Sequence, residues 1–286
     1  MNTFTPIDIA HLRQWVGREQ VLEETLAPFS AIAMSGLLDQ ATPPAVGDAL
    51  PLPWHWLYFL DAPARAATGL DGHPLRGGFL PPVPLPRRMW AAGAMQCEAP
   101  LHIGMVARRR STVRSVDLKD GRTGPLVFVT VDHMLEQHGR ACIREEQNIV
   151  YREAPTAPAP LAPCEPATKV AQWSLPFKPD PPLLFRFSAL TYNGHRIHYD
   201  RDYAVREEFY PALVVHGPLL ATALLDLLAR GRPGAVVRAF KFRALRPAFD
   251  TDTLLLCAAA DGGDAVDLWT QDLQGQVGMT ARATFG

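Results

Sequence analysis

The feature that most constrains this chain is the stretch 215–230, whose body reads His-Gly-Pro-Leu-Leu-Ala-Thr-Ala-Leu-Leu-Asp-Leu-Leu. Pro218 suits the first helical position, Gly217 the N-cap and Gly231 the residue past the end, so the segment predicts a helix with proper start and stop chemistry. Leu219, Leu220, Leu224, Leu225, Leu227 and Leu228 leave only Thr222 and Asp226 polar. A helix that is apolar all round must be wrapped by other structure. Beyond it the chain reads as strand after strand, at 236–245, 253–260, 265–271 and 276–285, with Asp261-Gly262-Gly263-Asp264 as a hairpin turn. One buried helix and an antiparallel meander describe an α+β arrangement, a curved sheet wrapped around a helix.

The first half offers comparable strands at 54–60, 89–98, 104–116, 126–133 and 140–151 and an early helix at 28–38. That helix precedes the strand at 54 and is no obvious copy of the later one, so duplication rests on element order. Trp54, Trp56, Tyr58 and Phe59 alternate as a strand does and read as core rather than as the wall of a binding pocket. Between 152 and 182, prolines including Pro155, Pro158, Pro160, Pro163, Pro166, Pro181 and Pro182 interrupt every hydrogen-bonding ladder. The expected organisation is therefore 1–153, an extended linker at 154–182, and 183–286 opening on a short strand at 183–187. Pro81, Pro82, Pro84 and Pro86, after Gly77 and Gly78, mark a long loop that closes over something or packs on the surface.

Balance and spacing exclude several functions. The 28 Lys+Arg against 29 Asp+Glu leave a net charge of −1, which argues against general nucleic-acid binding, and 48% hydrophobic residues exclude a disordered chain. Cys97, Cys142, Cys164 and Cys257 stand too far apart for a zinc ribbon or redox pair and read as reduced thiols. No window approaches ~20 apolar residues without a charge, and residues 1–14 lack the pattern of a signal peptide. A cytoplasmic protein without membrane contact is expected.

The segment least like structural filler is Phe187-Ser188-Ala189-Leu190-Thr191-Tyr192-Asn193-Gly194-His195-Arg196-Ile197-His198-Tyr199-Asp200, just ahead of the buried helix. Asn193-Gly194 alone is an ordinary type I′ turn signal. As a unit, the segment resembles the (R)-specific enoyl-CoA hydratases of the MaoC-like hot-dog superfamily, which carry an Asp, a His five residues on, and His-Gly opening the central helix. Those places fall on Asn193, His198 and His216-Gly217. Phe240 to Pro247 and Asp252-Thr253-Leu254 are similar to the strand pair that comes next in that family. Asn-x-His-Arg-Ile-His-Tyr resembles the branch of mesaconyl-C4-CoA hydratases and related hydroxyacyl-thioester dehydratases, and so do residues 12–18, 23–29 and 121–129. The resemblance implies a double hot-dog, two antiparallel sheets each wrapped around a central helix and fused as a pseudo-dimer. It also implies a hydro-lyase acting on 2-enoyl-CoA, foremost 3-methylfumaryl-CoA giving citramalyl-CoA.

Hydration of an enoyl thioester needs a base for water, an acid for the α-carbon and donors for the enolate oxygen. His198 is the expected base, because imidazole titrates near neutral pH, and Asn193 would hold the water or fix the ring. The Gly217 amide, at a helix N-terminus, would receive the enolate oxygen. An amide cannot take a proton, so His198 performs both transfers, a neighbour such as Asp200, Tyr192 or His195 substitutes for the carboxylate, or hydration has been lost. His195 and His216 are candidate substrate contacts. Arg196 would meet a second substrate carboxylate, while Arg243 and Arg246 with Lys241, or Arg108-Arg109-Arg110, would meet coenzyme A phosphates. His195, His198 and His216 lack a carboxylate or thiol partner, so no metal is expected, and no cofactor beyond the substrate's coenzyme A. A homodimer of fused pairs is compatible with this layout. A dehydratase of (3R)-hydroxyacyl groups on coenzyme A or acyl carrier protein, and a non-catalytic acyl-thioester binding protein, are the other readings. Thioester hydrolysis would have only Asp226 as a carboxylate on the central helix.

Overall fold

A computed structural model describes residues 7–121, 124–161 and 164–286. Arg122, Thr123, Ala162 and Pro163, together with the first six residues, lie outside the described range. In chain order the elements are α1 (Ile9–Leu12), β1 (Glu19–Thr25), α2 (Pro28–Leu37), β2 (Arg87–Cys97), β3 (Val106–Gly121), β4 (Gly124–Gln137) and β5 (Arg140–Arg152). The chain continues with β6 (Trp173–Phe177), α3 (Pro181–Leu190), α4 (Arg201–Arg206), α5 (Gly217–Gly231), β7 (Val237–Ala244), β8 (Leu254–Ala260), β9 (Ala265–Gln271) and β10 (Val277–Phe285).

Among the described residues, ten strands form one antiparallel sheet in the order β1-β3-β4-β5-β2-β7-β10-β9-β8-β6. With each half's strands counted from its own start, both halves read 2-5-4-3-1 outward from the middle, so the two five-stranded halves repeat one topology. They join where β2 runs against β7, from Ala92 opposite Arg243 to Gln96 opposite Ala239. At this seam Gly93 faces Phe242, and a Cβ on Gly93 would stand 2.6 Å from the ring. The aromatic ring lies over the glycine and fills the gap in the strand. This is the α+β double hot-dog architecture.

Helix α5 is buried on every side, Leu219 through Leu228 without exception, as its composition requires. Its polar pair is satisfied internally: Thr222 donates to the Pro218 carbonyl at 2.8 Å, and Asp226 accepts from Gln40 and Arg230, each at 2.7 Å. Asp226 is thus tied to neighbouring structure and is no free nucleophile. Helix α2 is the first half's counterpart and packs against α3.

Several expectations are corrected. Residues 54–57 form a 3₁₀ turn rather than a strand, with Trp54 and Trp56 donating backbone N–H groups to the Pro51 and Pro53 carbonyls. The aromatic alternation reflects one buried turn, in which Trp54 joins the core. Residues 183–187 are helical, not extended, because Asp180 caps the Leu183 N–H at 2.8 Å and Pro181 and Pro182 fill the first turn of α3. Helix α5 begins one residue earlier than expected, with His216 as N-cap and Gly217 already helical. Strands β1 and β6 have no distinct sequence pattern, and β6 lies within the proline-rich 154–182 stretch, against β8 at the sheet edge. The proline loop after Gly78 is pinned by the Arg76 guanidinium, which donates to the carbonyls of Val83, Leu85 and Pro86. The four cysteines are free thiols.

Candidate active site

Where α3 ends, the chain turns so tightly that the Asn193 N–H bonds the Ser188 carbonyl at 2.8 Å and Tyr192 takes a φ of +48°. The Asn193 side chain then accepts from the His195 backbone N–H at 3.0 Å, and a 3₁₀ turn over Arg196–His198 comes next. Neither Asn193 nor Gly194 has a positive φ, so the type I′ hairpin reading does not hold. Glycine is demanded here by packing. A Cβ on Gly194 would meet the Gly72 carbonyl oxygen at 2.7 Å, and one on Gly72 (φ +88°) would meet the Gly194 oxygen at 1.8 Å. Two glycines thus bring a first-half loop onto the second-half motif. The contact is locked by the Arg196 N–H on the Asp71 carbonyl at 2.9 Å and the Arg196 guanidinium on the Leu70 carbonyl at 3.0 Å.

This contact assembles a row of four imidazoles. His198 and His216 stack at 3.6 Å between centroids, His195 meets His198 edge-on at 5.4 Å, and His73 lies 4.0 Å from His195. Each end is anchored. Asp71 accepts from the His73 backbone N–H and from its Nδ1, both at 3.0 Å, and Ser188 Oγ bonds His216 Nε2 at 2.8 Å. His198 Nδ1 lies 2.7 Å from the Val214 carbonyl. A carbonyl only accepts, so the His198 proton sits on Nδ1 and Nε2 keeps its lone pair.

Burial sets the charge state of the row. It pushes His198 down to about 4, against the Val214 hydrogen bond and with the help of His73. Burial likewise lowers His195 and His216, and it lowers His73, reinforced by the Arg88 charge and opposed by Asp71. For Asp71, burial pulls upward, but the hydrogen bonds and charge of His73, with Arg88, hold the carboxyl below its ordinary value. At neutral pH the imidazoles are uncharged and able to accept protons.

The row lines a cavity of about 1460 Å³ shared by both halves, into which Asn193, Gly217, Trp90, Tyr151, Arg88 and Arg109 also face. Pockets for ordinary small ligands span ~300–1,000 Å³, so this one suits a larger, elongated molecule. Gly217 is the first residue of α5, so its N–H has no partner within the helix. A Cβ there would meet only ordinary contacts, 3.8 Å to the Trp90 carbonyl, so the protein's own packing does not require glycine.

The structure therefore brings together His198, Asn193, His195, His216 and Gly217. It takes Arg196 elsewhere: the guanidinium pairs with Asp200 at 2.7 Å and covers the Tyr203 ring, away from the cavity. Arg243 is exposed on β7 and does not line the cavity. Arg246 lines it but is held by Asp272 and Gln276. Of the arginine triplet, Arg109 reaches the cavity wall, over the Phe59 ring. Asp200 caps α4 and binds Arg196, so it does not stand in for the missing carboxylate, while Tyr192 lines the cavity with its side chain largely exposed. Sequence reasoning misses Asp71, His73 and Arg88, for which the available signal is the polar Asp71-Gly72-His73 triplet inside an unassigned loop. Single donor atoms of Asp71, His73 and His195 lie within 4.8 Å of one another, as a cation site would need. Both Asp71 oxygens already accept from His73, so the carboxylate is satisfied without an ion.

Residues 53–250 match the family model described as hydroxyacyl-thioester dehydratase type 2. The chain belongs to this family. Among curated relatives, it is 45% identical over 274 residues to a mesaconyl-C(4)-CoA hydratase of Chloroflexus aurantiacus, covering 95% of this chain and 97% of that one. It is 28% identical over 248 residues to a mitochondrial hydroxyacyl-thioester dehydratase type 2 of Schizosaccharomyces pombe, covering 77% and 81%. In fold, this dehydratase-family chain matches the crystal structure of a MaoC-like dehydratase from Phytophthora capsici, with a TM-score of 0.66, 12% identity and 98% of each chain covered.

Proposed function

We propose that this protein is a hydro-lyase that reversibly adds water to a 2-enoyl-CoA, with 3-methylfumaryl-CoA (mesaconyl-C4-CoA) as substrate and citramalyl-CoA as product. One observation carries the chemistry: His198 has Nδ1 held by the Val214 carbonyl and lines the shared cavity beside the open N-terminus of α5. The 45% identity to a mesaconyl-C(4)-CoA hydratase supports the choice of substrate.

In the forward direction His198 Nε2 takes a proton from water as the oxygen bonds to the β-carbon. The π pair moves onto the thioester, and the enolate oxygen is received by the Gly217 N–H, where helix donors and dipole favour negative charge. The enolate collapses and the α-carbon takes the proton back from His198, so the imidazole ends neutral and one water has been added. Ser188, through His216, holds the face against which the His198 ring turns. Asn193 fixes the backbone at His195 rather than carrying a proton. Asp71 and His73 supply a half-buried carboxylate–imidazole pair at the far end of the row. Coenzyme A enters as part of the substrate, no separate cofactor takes part, and the enzyme works in the cytoplasm as a homodimer of fused double hot-dogs.

The test monitors enoyl-thioester absorbance with purified protein on mesaconyl-C4-CoA and, in parallel, crotonyl-CoA. Rapid loss of absorbance with the dicarboxylic thioester supports the reading. Preference for crotonyl-CoA moves the protein to fatty-acyl hydration, and binding of both without turnover makes it an acyl-thioester binding protein.

A further inference from the structure

The free carboxylate of a 3-methylfumaryl group is attached to the carbon that receives the hydroxyl. A cation that balances it must therefore stand beside the imidazole row, not at the cavity mouth where coenzyme A phosphates would lie. Most arginines around the cavity are already engaged. Arg87 is bound by the carboxylate and carbonyl of Glu208, Arg76 by three backbone carbonyls, and Arg246 by Asp272 and Gln276. Arg109 covers Phe59 and feels the carboxylates of Glu145, Glu24 and Asp61.

Arg88 is different. It faces the cavity from β2, opposite Tyr151 of β5, and forms no ion pair with a carboxylate among the described residues. Two residues on along β2, the Trp90 carbonyl lies 3.8 Å from where a Cβ on Gly217 would stand, so this stretch of strand runs past the N-terminus of α5 at the reacting end, and the Arg88 charge also bears on His73, His195 and Asp71. A half-buried guanidinium without a carboxylate partner, beside neutral imidazoles, is a receptor for an anion of planar geometry. We propose that Arg88 binds the free carboxylate of a 3-carboxy-2-enoyl thioester and so sets the preference for dicarboxylic over simple enoyl-CoA substrates. This assignment rests on the hydratase reading and adds the residue that selects the substrate.

The experiment compares wild type, Arg88→Gln and Arg88→Lys. It measures kcat/KM for mesaconyl-C4-CoA and crotonyl-CoA, and calorimetric affinity for citramalyl-CoA against 3-hydroxybutyryl-CoA, with thermal melts to confirm folding. The expected result is a fall of ~100-fold or more in the dicarboxylic-to-simple ratio, in turnover and in affinity, for Arg88→Gln, with part of it regained in Arg88→Lys. The affinity arm does not depend on turnover. If wild type prefers the dicarboxylic thioesters and Arg88→Gln keeps that ratio, the assignment is overturned while the hydratase reading stands. If wild type shows no such preference, the substrate reading falls and the assignment with it.

Discussion

His198 is uncharged at rest because burial holds it down to about 4, far below the ordinary histidine value near 6.5. A base with a depressed pKa stays in its working form well into the acid range. The acid limb of kcat/KM is therefore expected near pH 4 to 5 rather than 6.5, with a flat profile from there to neutrality. A pH–rate series in the free-enzyme regime checks it. Asp71→Asn keeps an oxygen for the His73 N–H but removes the charge that offsets burial of that imidazole. Steady-state assays of this variant are expected to show kcat lowered by ~10- to 100-fold, with the melting temperature little changed.

At the scale of elements, the site depends on two loops meeting at a pair of glycines. Gly72→Ala places a methyl 1.8 Å from the Gly194 oxygen at a φ that side chains avoid, so the loop carrying Asp71 and His73 must lift. Activity should drop sharply in that variant, whereas Gly217→Ala, with only ordinary contacts for its Cβ, leaves the fold intact and obstructs the ligand. Asp180→Ala removes the α3 cap and is expected to lower stability by ~1 kcal/mol in denaturant titration. That helix also shows where sequence patterns run out. Leu183 to Phe187 is a short apolar run that periodicity cannot assign, and the Asp180-Pro181-Pro182 start is the arbiter. By contrast, α5 is readable from its Gly217-Pro218 start and its Gly231 end, and β8 and β9 from the Asp261-Gly262-Gly263-Asp264 turn between them.

At the scale of the molecule, two halves of one topology share a seam and a cavity, and the site lies where they meet. The histidine motif and the helix N-terminus are legible because they fall within 25 residues of one another, from Asn193 to Gly217. Asp71, His73 and Arg88 come from the other half, more than a hundred residues away, and no local pattern links them to the motif. Arg196 misleads for the same reason: proximity in sequence places it at the site, while its own Asp200, four residues on, holds it outside.

Buried groups in both halves carry one pH signature. Glu145 is lowered to about 2, its burial outweighed by His55 and His133, while His198 is lowered to about 4 by burial. A depressed histidine contributes stability above its unfolded value near 6.5 and loses it as pH falls. A depressed carboxylate does the same from about 4.5 downward. Thermal melts are thus expected to fall steadily below pH 6.5 and more steeply below 4.5. The central claim, that His198 moves the proton, is tested most directly by single-turnover hydration of mesaconyl-C4-CoA with His198→Gln. A rate lowered by ~10²–10⁴-fold, with citramalyl-CoA still bound and the melting temperature kept, is predicted. Wild-type-like turnover would contradict the account.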